Sequence, residues 1–379
     1  MMATAYWEHR AKLRQLAYDR SNNRVVQDVS AVFDRAINQL DEDIDSIIGT
    51  YTRKTGLTVK EAHDYLNQGV PLKMMDELRS RVAVIADPKE RKKLQVLLST
   101  DAYRARISRL DAIRASTRVG LTEAAEAELE ALTPHLKAMI ESGYSRTLYD
   151  IQKVSYGFSG AGVSRKAIDT ILKSKWSGEH YSSRIWGNRD AMAQILNRAM
   201  MEQSTIGKLS DLTMKDVKGM VNLDTWKGAL KSKFKTEAQY QKYAANRLIR
   251  TESAYVSGQA TAIAYDECGI EQYEFIAVLD GKTSTICQRH DGLINPDTGG
   301  PYYTKDKEVG KNWNPMHAHC RSSTAPVLDT QNRKTMQRRG QGKDGESVFL
   351  PREMNYPMWQ RWQNDGCPEI SKWMNKRIS

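Results

Sequence analysis

The sequence predicts a mainly α protein: an N-terminal helical bundle or extended helical arm, followed by a small α+β domain that contains a loop-rich Cys/His module. Three observations carry this. Apolar residues between Val26 and Tyr51 recur at steps of three and four, the period of a one-sided helix. The run Tyr273 to Leu279 alternates and is rich in β-branched and aromatic residues, as a strand requires. The stretch Leu279 to Pro326 holds two of the four cysteines and three of the seven histidines, among Gly, Pro, Asp and Asn residues that cannot build a core of their own.

At 379 residues the chain exceeds the usual single core, so more than one domain is expected. Composition and breakers divide it into a helical region 1–156, a linker 157–163, a second domain 164–328 and a basic tail 329–379 with a short aromatic C-terminal segment. The 57 Lys and Arg against 46 Asp and Glu give +11. Such a balance suits an anionic partner, nucleic acid first and an anionic membrane second, although a solvated basic surface gives the same count. No apolar run approaches the ~20 residues of a membrane span and the N-terminus lacks a signal-peptide pattern, so a soluble protein made in a cytoplasm is expected. Cys268, Cys287, Cys320 and Cys367 all fall in the last third, which suits reduced thiols or metal ligands better than a disulfide scaffold.

In chain order, Val26, Val29, Phe33, Ala36, Ile37, Leu40, Ile44, Ile47, Ile48 and Tyr51 form one apolar stripe of a long helix closed at Gly56. Thr58 and Glu61 make a capping box for a short helix ending near Gly69. Asp87 and Pro88 read as N-cap and first helical residue of a helix running to about Thr117. Thr122 starts the next, with Glu123, Glu126, Glu128 and Glu130 suited to its positive end, and Pro134 breaks or kinks it before a helix from His135 to Val154. His9, His63 and His135 are isolated and read as surface or core residues. The three glycines between Gly157 and Ser164 disfavour helix and strand, and helices follow from Arg165 and from a cap at Ser182 or Ser183.

Between Lys227 and Arg250, the cations Lys227, Lys231, Lys233, Lys235, Lys242, Arg247 and Arg250 face only Glu237, with Trp226, Phe234, Tyr240 and Tyr243 interleaved. Ammonium and guanidinium groups displace counterions from DNA, so Lys227, Lys231, Lys233, Lys235 and Lys242 are candidates for phosphate contact; a solvated face with aromatics turned inward is the other reading. Thr236 and Gln239 suggest a capping box for a helix that Gly269 stops in the left-handed conformation. In the tail, Arg333 to Lys343 carries five positive charges and no negative one, so it is expected to stay mobile until a partner orders it. Arg333, Lys334, Arg338 and Arg339 join the nucleic-acid candidates. Tyr356, Trp359, Trp362 and Trp373 are expected to pack back on the domain or dock on a partner.

Cys287 and His290 form a C-x2-H pair, and His317 and Cys320 an H-x2-C pair. A tetrahedral ion held by Cys287, His290, His317 and Cys320 would tie the two ends of a loop that has little apolar content, so one structural zinc is the cofactor this spacing implies. His319 is an alternative ligand. Packing of the two thiols in a small core, with the histidines in hydrogen bonds, is equally compatible with the spacing.

These residues carry a resemblance as well. LDGKTSTICQRHDG (Leu279 to Gly292), NPMHAHCRSSTAP (Asn314 to Pro326) and the Arg-Thr-Glu helix RLIRTESAYVSGQATAIAYDECG (Arg247 to Gly269) resemble the phage head morphogenesis domain of the Mu F-like minor capsid proteins of tailed phages. The resemblance implies that 164–328 is such a domain and that the protein is a virion component of the head interior or portal vertex. It also implies partners: the portal protein during procapsid assembly, other capsid or scaffold proteins, and non-specific contact with packaged double-stranded DNA. No membrane partner and no enzymatic activity follow from it. The alternatives are a zinc-dependent nuclease, an ADP-ribosyltransferase-like enzyme using Arg250 and Glu252, or a bacterial toxin-associated Mu F-like protein. No H-E-x-x-H pairing supports the first, and residues two apart on a helix point in different directions.

Overall fold

The computed structural model describes residues 2–48, 57–99, 108–152, 162–204, 220–221, 223–327, 337–343, 346–351, 354 and 356–378. The chain is mainly helical with a small antiparallel sheet, as its periodicities require. It divides into two compact units, one made of 26–132 and 179–246, the other of 1–25, 133–178 and 247–379.

The first unit is all but entirely helical. Its helices come from α1 (Met2–Ile48), α2 (Val59–Leu66), α3 (Leu72–Ala83), α4 (Pro88–Ser99), α5 (Arg109–Gln152), α7 (Tyr181–Ser204) and α8 (Leu223–Glu267), with β1 (Leu57–Thr58) paired antiparallel to β2 (Met220–Val221). The predicted stripe of α1 is buried at Val29, Phe33, Ile37, Leu40, Ile44, Ile47 and Ile48. Its later part packs with Met75, Leu78 and Val82 of α3, Leu94 and Leu98 of α4, Ile113 and Val119 of α5, Leu196 of α7 and Phe234 of α8. Arg81 joins three helices, reaching Asp43 at 2.9 Å and Glu123 at 2.8 Å.

Local signals are honoured where a cap is made. Asp87 accepts from the backbone of Lys89 and Glu90 at 2.8 and 3.0 Å, with Pro88 opening α4. The helix expected to continue to Thr117 is described over Pro88–Ser99, residues 100–107 lie outside the described residues, and a separate helix, α5, begins at Arg109. The signal for that start is Ser108, whose hydroxyl accepts from Asp111 N at 3.1 Å and donates to the Asp111 carboxylate at 2.8 Å. Thr122 begins no helix: it lies inside α5 and donates to the Arg118 carbonyl at 2.9 Å. Pro134 also lies inside α5, where it is exposed while Leu132, Leu136 and Ile140 are buried and keep the helix packed. Thr236 likewise sits within α8, donating to the Ser232 carbonyl at 3.0 Å, and makes no cap. The start of α7 is capped by His180 rather than Ser182 or Ser183: its Nδ1 accepts from Ser182 N at 3.2 Å.

In the second unit, Ser164 caps α6 (Arg165–Lys173) by accepting from Ala167 N at 3.1 Å. Gly269, at φ +63°, ends α8, and the Ile270 N–H returns to the Tyr265 carbonyl at 2.9 Å. The chain then enters β3 (Gln272–Ile276), the centre of a sheet flanked by β4 (Tyr302–Tyr303) and β5 (Ser323–Pro326). In register, Tyr273 opposes Tyr302 on one side and Phe275 opposes Thr324 on the other. Between β3 and β4 lies α9 (Thr285–His290).

The basic segment expected to be mobile is, from residue 337 on, part of a hairpin, β6 (Gln337–Gln341) with β7 (Ser347–Pro351). Residues 328–336 lie outside the described residues. The hairpin folds because its partners lie elsewhere in the chain: Gln341 N donates to the Leu279 carbonyl at 2.8 Å, and Leu279 and Leu350 pack with Tyr356, Trp359 and Trp362 of α10 (Tyr356–Asn364) and Trp373 of α11 (Ile370–Ile378). All three tryptophan N–H groups find acceptors, at Gln341 O, Pro368 O and the Asp365 carboxylate.

Candidate metal centre

Ser284 caps α9 by accepting from Cys287 N, which fixes Cys287 in the first turn of a short helix. On the other side, the chain from Asn314 to Cys320 makes a turn closed by Cys320 N donating to the His317 carbonyl at 3.2 Å, with His319 at φ +59°. These two turns bring the Cys287 sulfur to 3.8 Å from the Cys320 sulfur and 3.3 Å from His317 Nε2. A tetrahedral zinc with Zn–S of ~2.3 Å and Zn–N of ~2.0 Å places two sulfurs about 3.8 Å apart and sulfur and nitrogen about 3.5 Å apart. The donor set fits such an ion.

The chemistry around the donors agrees. His317 Nδ1 lies 2.7 Å from the Ala318 carbonyl, so Nδ1 carries the proton and the Nε2 lone pair turns to the sulfurs, the arrangement a ligating histidine needs. Hydrogen bonds from Cys287, His317 and the backbone of Met316 and Ser322 hold the Cys320 thiol well below its ordinary range. Hydrogen bonding to Cys320 together with burial pushes Cys287 up, and the hydrogen bond with Cys320 raises His317. The pair therefore keeps one thiolate stabilised in a buried setting, which is what a cation would meet.

Cys287, His317 and Cys320 form the one His/Cys/Asp/Glu cluster of metal-binding geometry among the described residues. His290 is buried elsewhere. Its Nδ1 lies 3.1 Å from the Tyr302 hydroxyl, which donates to the His290 carbonyl at 2.7 Å, and its Nε2 is 3.6 Å from Asp297. Sequence reasoning overlooked Ser284, whose hydroxyl is 2.7 Å from His317 Nε2; the signal available was its place as a helix cap three residues before Cys287.

The Arg-Thr-Glu helix supports the centre from below. The Thr251 hydroxyl accepts from His319 N at 3.1 Å, and the Asn314 side chain donates to the Ala254 carbonyl at 3.4 Å. One turn on, Gly258 lies so close that a Cβ there would stand 2.8 Å from Asn314 O and 3.1 Å from Trp313 Nε1. Residues 188–325 match the protein family described as phage Mu protein F like protein. Over that stretch the chain is similar to the Mu F-like family. No curated protein and no solved structure matches the chain significantly. The Mu F-like stretch contains the whole Cys/His centre, its supporting helix and the lysine-rich first half of α8.

Those lysines are not bare. Lys231 lies 2.7 Å from Asp45, Lys227 3.2 Å from Asp45 and Lys235 3.5 Å from Asp41, while Lys242 pairs with Asp34 and Lys233 with Glu237 at 2.7 Å. The pairs advance in opposite chain directions, so α1 and α8 run antiparallel here with complementary charge. The matching spacing of Asp34, Asp41 and Asp45 was the available signal. Phe234 is buried, whereas Tyr240 and Tyr243 are exposed. Arg338 and Arg339 lie on β6, opposite Leu350 and Phe349; Arg333 and Lys334 fall outside the described residues. Arg250 and Glu252 have separate engagements, Arg250 with Asn23 and buried Glu252 with Trp176 Nε1 at 3.2 Å. Among the described residues no helix is long and apolar enough to cross a membrane.

Proposed function

We propose that this chain is a minor head protein of a tailed phage, with a structural and not a catalytic role, residing in the virion at the head interior or the portal vertex. It associates with the portal protein and with capsid or scaffold proteins during procapsid assembly, and touches packaged double-stranded DNA without sequence preference during packaging or ejection. The observation that carries the reading is the Mu F-like match over residues 188–325. In this assignment 164–328 is the assembly domain, 1–156 is the arm that meets portal or shell, and 329–379 is a docking tail. Mass spectrometry of purified virions, with copurification of this chain and the portal protein of the same phage, tests it. A chain absent from heads and without affinity for the portal rules the assignment out.

The net charge of +11 supports the DNA contact. Because these lysines of α8 already pair with carboxylates, of α1 or, for Lys233, of α8 itself, the weight of that contact falls on Arg333, Lys334, Arg338 and Arg339. Changing these four to Gln is expected to weaken duplex retention at low salt by about tenfold or more, and unchanged retention removes them from the assignment. One structural zinc at Cys287, His317 and Cys320 completes the reading: it would hold α9 to the turn before β5. Elemental analysis of the purified chain beside Cys320→Ser and His317→Ala tests it, with one metal per chain expected in the parent and none in either variant.

A further inference from the structure

Three protein donors leave one corner of a tetrahedral site to be filled, and we infer that Ser284 Oγ fills it, so that the centre is Ser284, Cys287, His317 and Cys320 and excludes His290. The inference rests on the zinc reading above and adds its ligand set. The Ser284 hydroxyl is the oxygen nearest the imidazole donor, 2.7 Å from His317 Nε2, and it also hydrogen-bonds the Cys287 thiol. It thus touches two of the three donors from a position fixed by its own role as helix cap. Nitrogen and oxygen ligands of one tetrahedral zinc stand about 3.3 Å apart, so the hydroxyl needs to withdraw by roughly half an ångström as its O–H turns away from the imidazole and a lone pair turns to the ion. Ser322 is the other hydroxyl nearby, but of the three donor side chains its own hydroxyl bonds only Cys287.

His290 is unsuited for a reason its spacing conceals. Cys287 and His290 are three apart on α9, which places them on one face in sequence. Its Nδ1 is nevertheless engaged by the Tyr302 hydroxyl, its Nε2 lies toward Asp297 at 3.6 Å, and the ring lies against Phe275 with centroids 5.9 Å apart. Bringing it to the sulfurs would empty a buried position in the sheet's core. A seryl oxygen is a weaker zinc donor than thiolate or imidazole, so this set holds its ion less tightly than a Cys2His2 clamp.

Cobalt(II) substitution of the full chain tests the assignment. His290→Asn should keep one metal per chain and the parent spectrum. Ser284→Ala should bind the ion about 10-fold more weakly in competition with a chromophoric chelator. Ser284→Cys should raise the sulfur-to-cobalt charge-transfer absorption by about half, since three thiolates replace two. If Ser284→Ala binds as tightly as the parent, the fourth oxygen is solvent and the assignment to Ser284 is overturned. It is overturned equally if His290→Asn releases the ion while Ser284→Ala retains it. A parent chain that takes up no metal overturns the zinc reading and the ligand set with it.

Discussion

The carboxylate of Asp291 accepts the backbone N–H of Tyr356 at 3.0 Å, across 65 residues of sequence, while its other oxygen accepts from Ala277 N at 2.8 Å. One side chain thus ties the exit of β3 to the start of α10. Hydrogen bonds to a charged acceptor contribute about 1.5–3 kcal/mol each, less where water can replace them. Asp291 is partly exposed, so Asp291→Ala is expected to cost about 2 kcal/mol and to open the C-terminal hairpin and helices to protease first. Limited proteolysis beside a urea melt checks it; a C-terminal segment that stays as resistant as in the parent contradicts the role.

Gly258 is the place where α8 admits the metal-centre turn. Alanine would favour the helix by up to about 1 kcal/mol, but its Cβ would press on the backbone oxygen of Asn314, which has no rotamer to escape into. Gly258→Ala is therefore expected to destabilise the chain by about 1–3 kcal/mol and to lower metal retention without touching any ligand. A variant as stable and as metal-replete as the parent would show that the turn has room.

Two buried groups set opposite pH slopes. Burial pushes Glu128 up to about 7 from its ordinary 4.5, and its Oε1 has no hydrogen-bond partner among the described residues. The folded chain holds this proton more tightly, so the stabilisation is full below 4.5 and is lost as pH rises through 7, by about 3 kcal/mol. Burial lowers His135 from 6.5 to about 4, beside Asn22 Oδ1 at 2.9 Å and Ser253 Oγ at 3.0 Å. Here the unfolded chain holds the proton more tightly, so stability is present above 6.5 and is lost as pH falls toward 4. Urea midpoints between pH 4 and 8 should lose their alkaline decline in Glu128→Gln and their acid decline in His135→Gln. Unaltered profiles in both variants would assign the pH dependence to other groups.

The α1–α8 charge pairs make a further test of the lysines. Asp45, held below the usual carboxylate range by Lys231 and Lys227, is itself half exposed, so each pair is expected to contribute less than about 1 kcal/mol. Changing Asp34, Asp41 and Asp45 together to Asn should leave the fold intact and increase duplex retention at low salt, because freed ammonium groups become available to phosphate. Retention equal to the parent's would show that this face takes no part in DNA contact.

Much of the architecture was legible because it depends on near neighbours. The apolar stripe of α1, the Asp87–Pro88 start of α4, the Gly269 stop and the strand at β3 each follow from residues within a turn or two of one another. Breaks in long helices were less so. Thr122, Pro134 and Thr236 carry local signals to start or stop, yet lie inside α5 and α8, where burial of the flanking apolar residues outweighs one missing bond or one competing hydroxyl.

The sequence by itself determined which residue types can hold a metal, where the helical faces lie, and that Mu F-like motifs surround the Cys/His loops. Tertiary structure alone decided which groups meet: that His317 and Cys320 face Cys287 while His290 is claimed by Tyr302, that Asp34, Asp41 and Asp45 neutralise lysines far along the chain, and that Leu279 orders a hairpin its own composition would leave unfolded. Spacing fixes the face on which a side chain starts. The partner it reaches depends on the packing of other segments, and a single stretch of sequence carries no information about those distances.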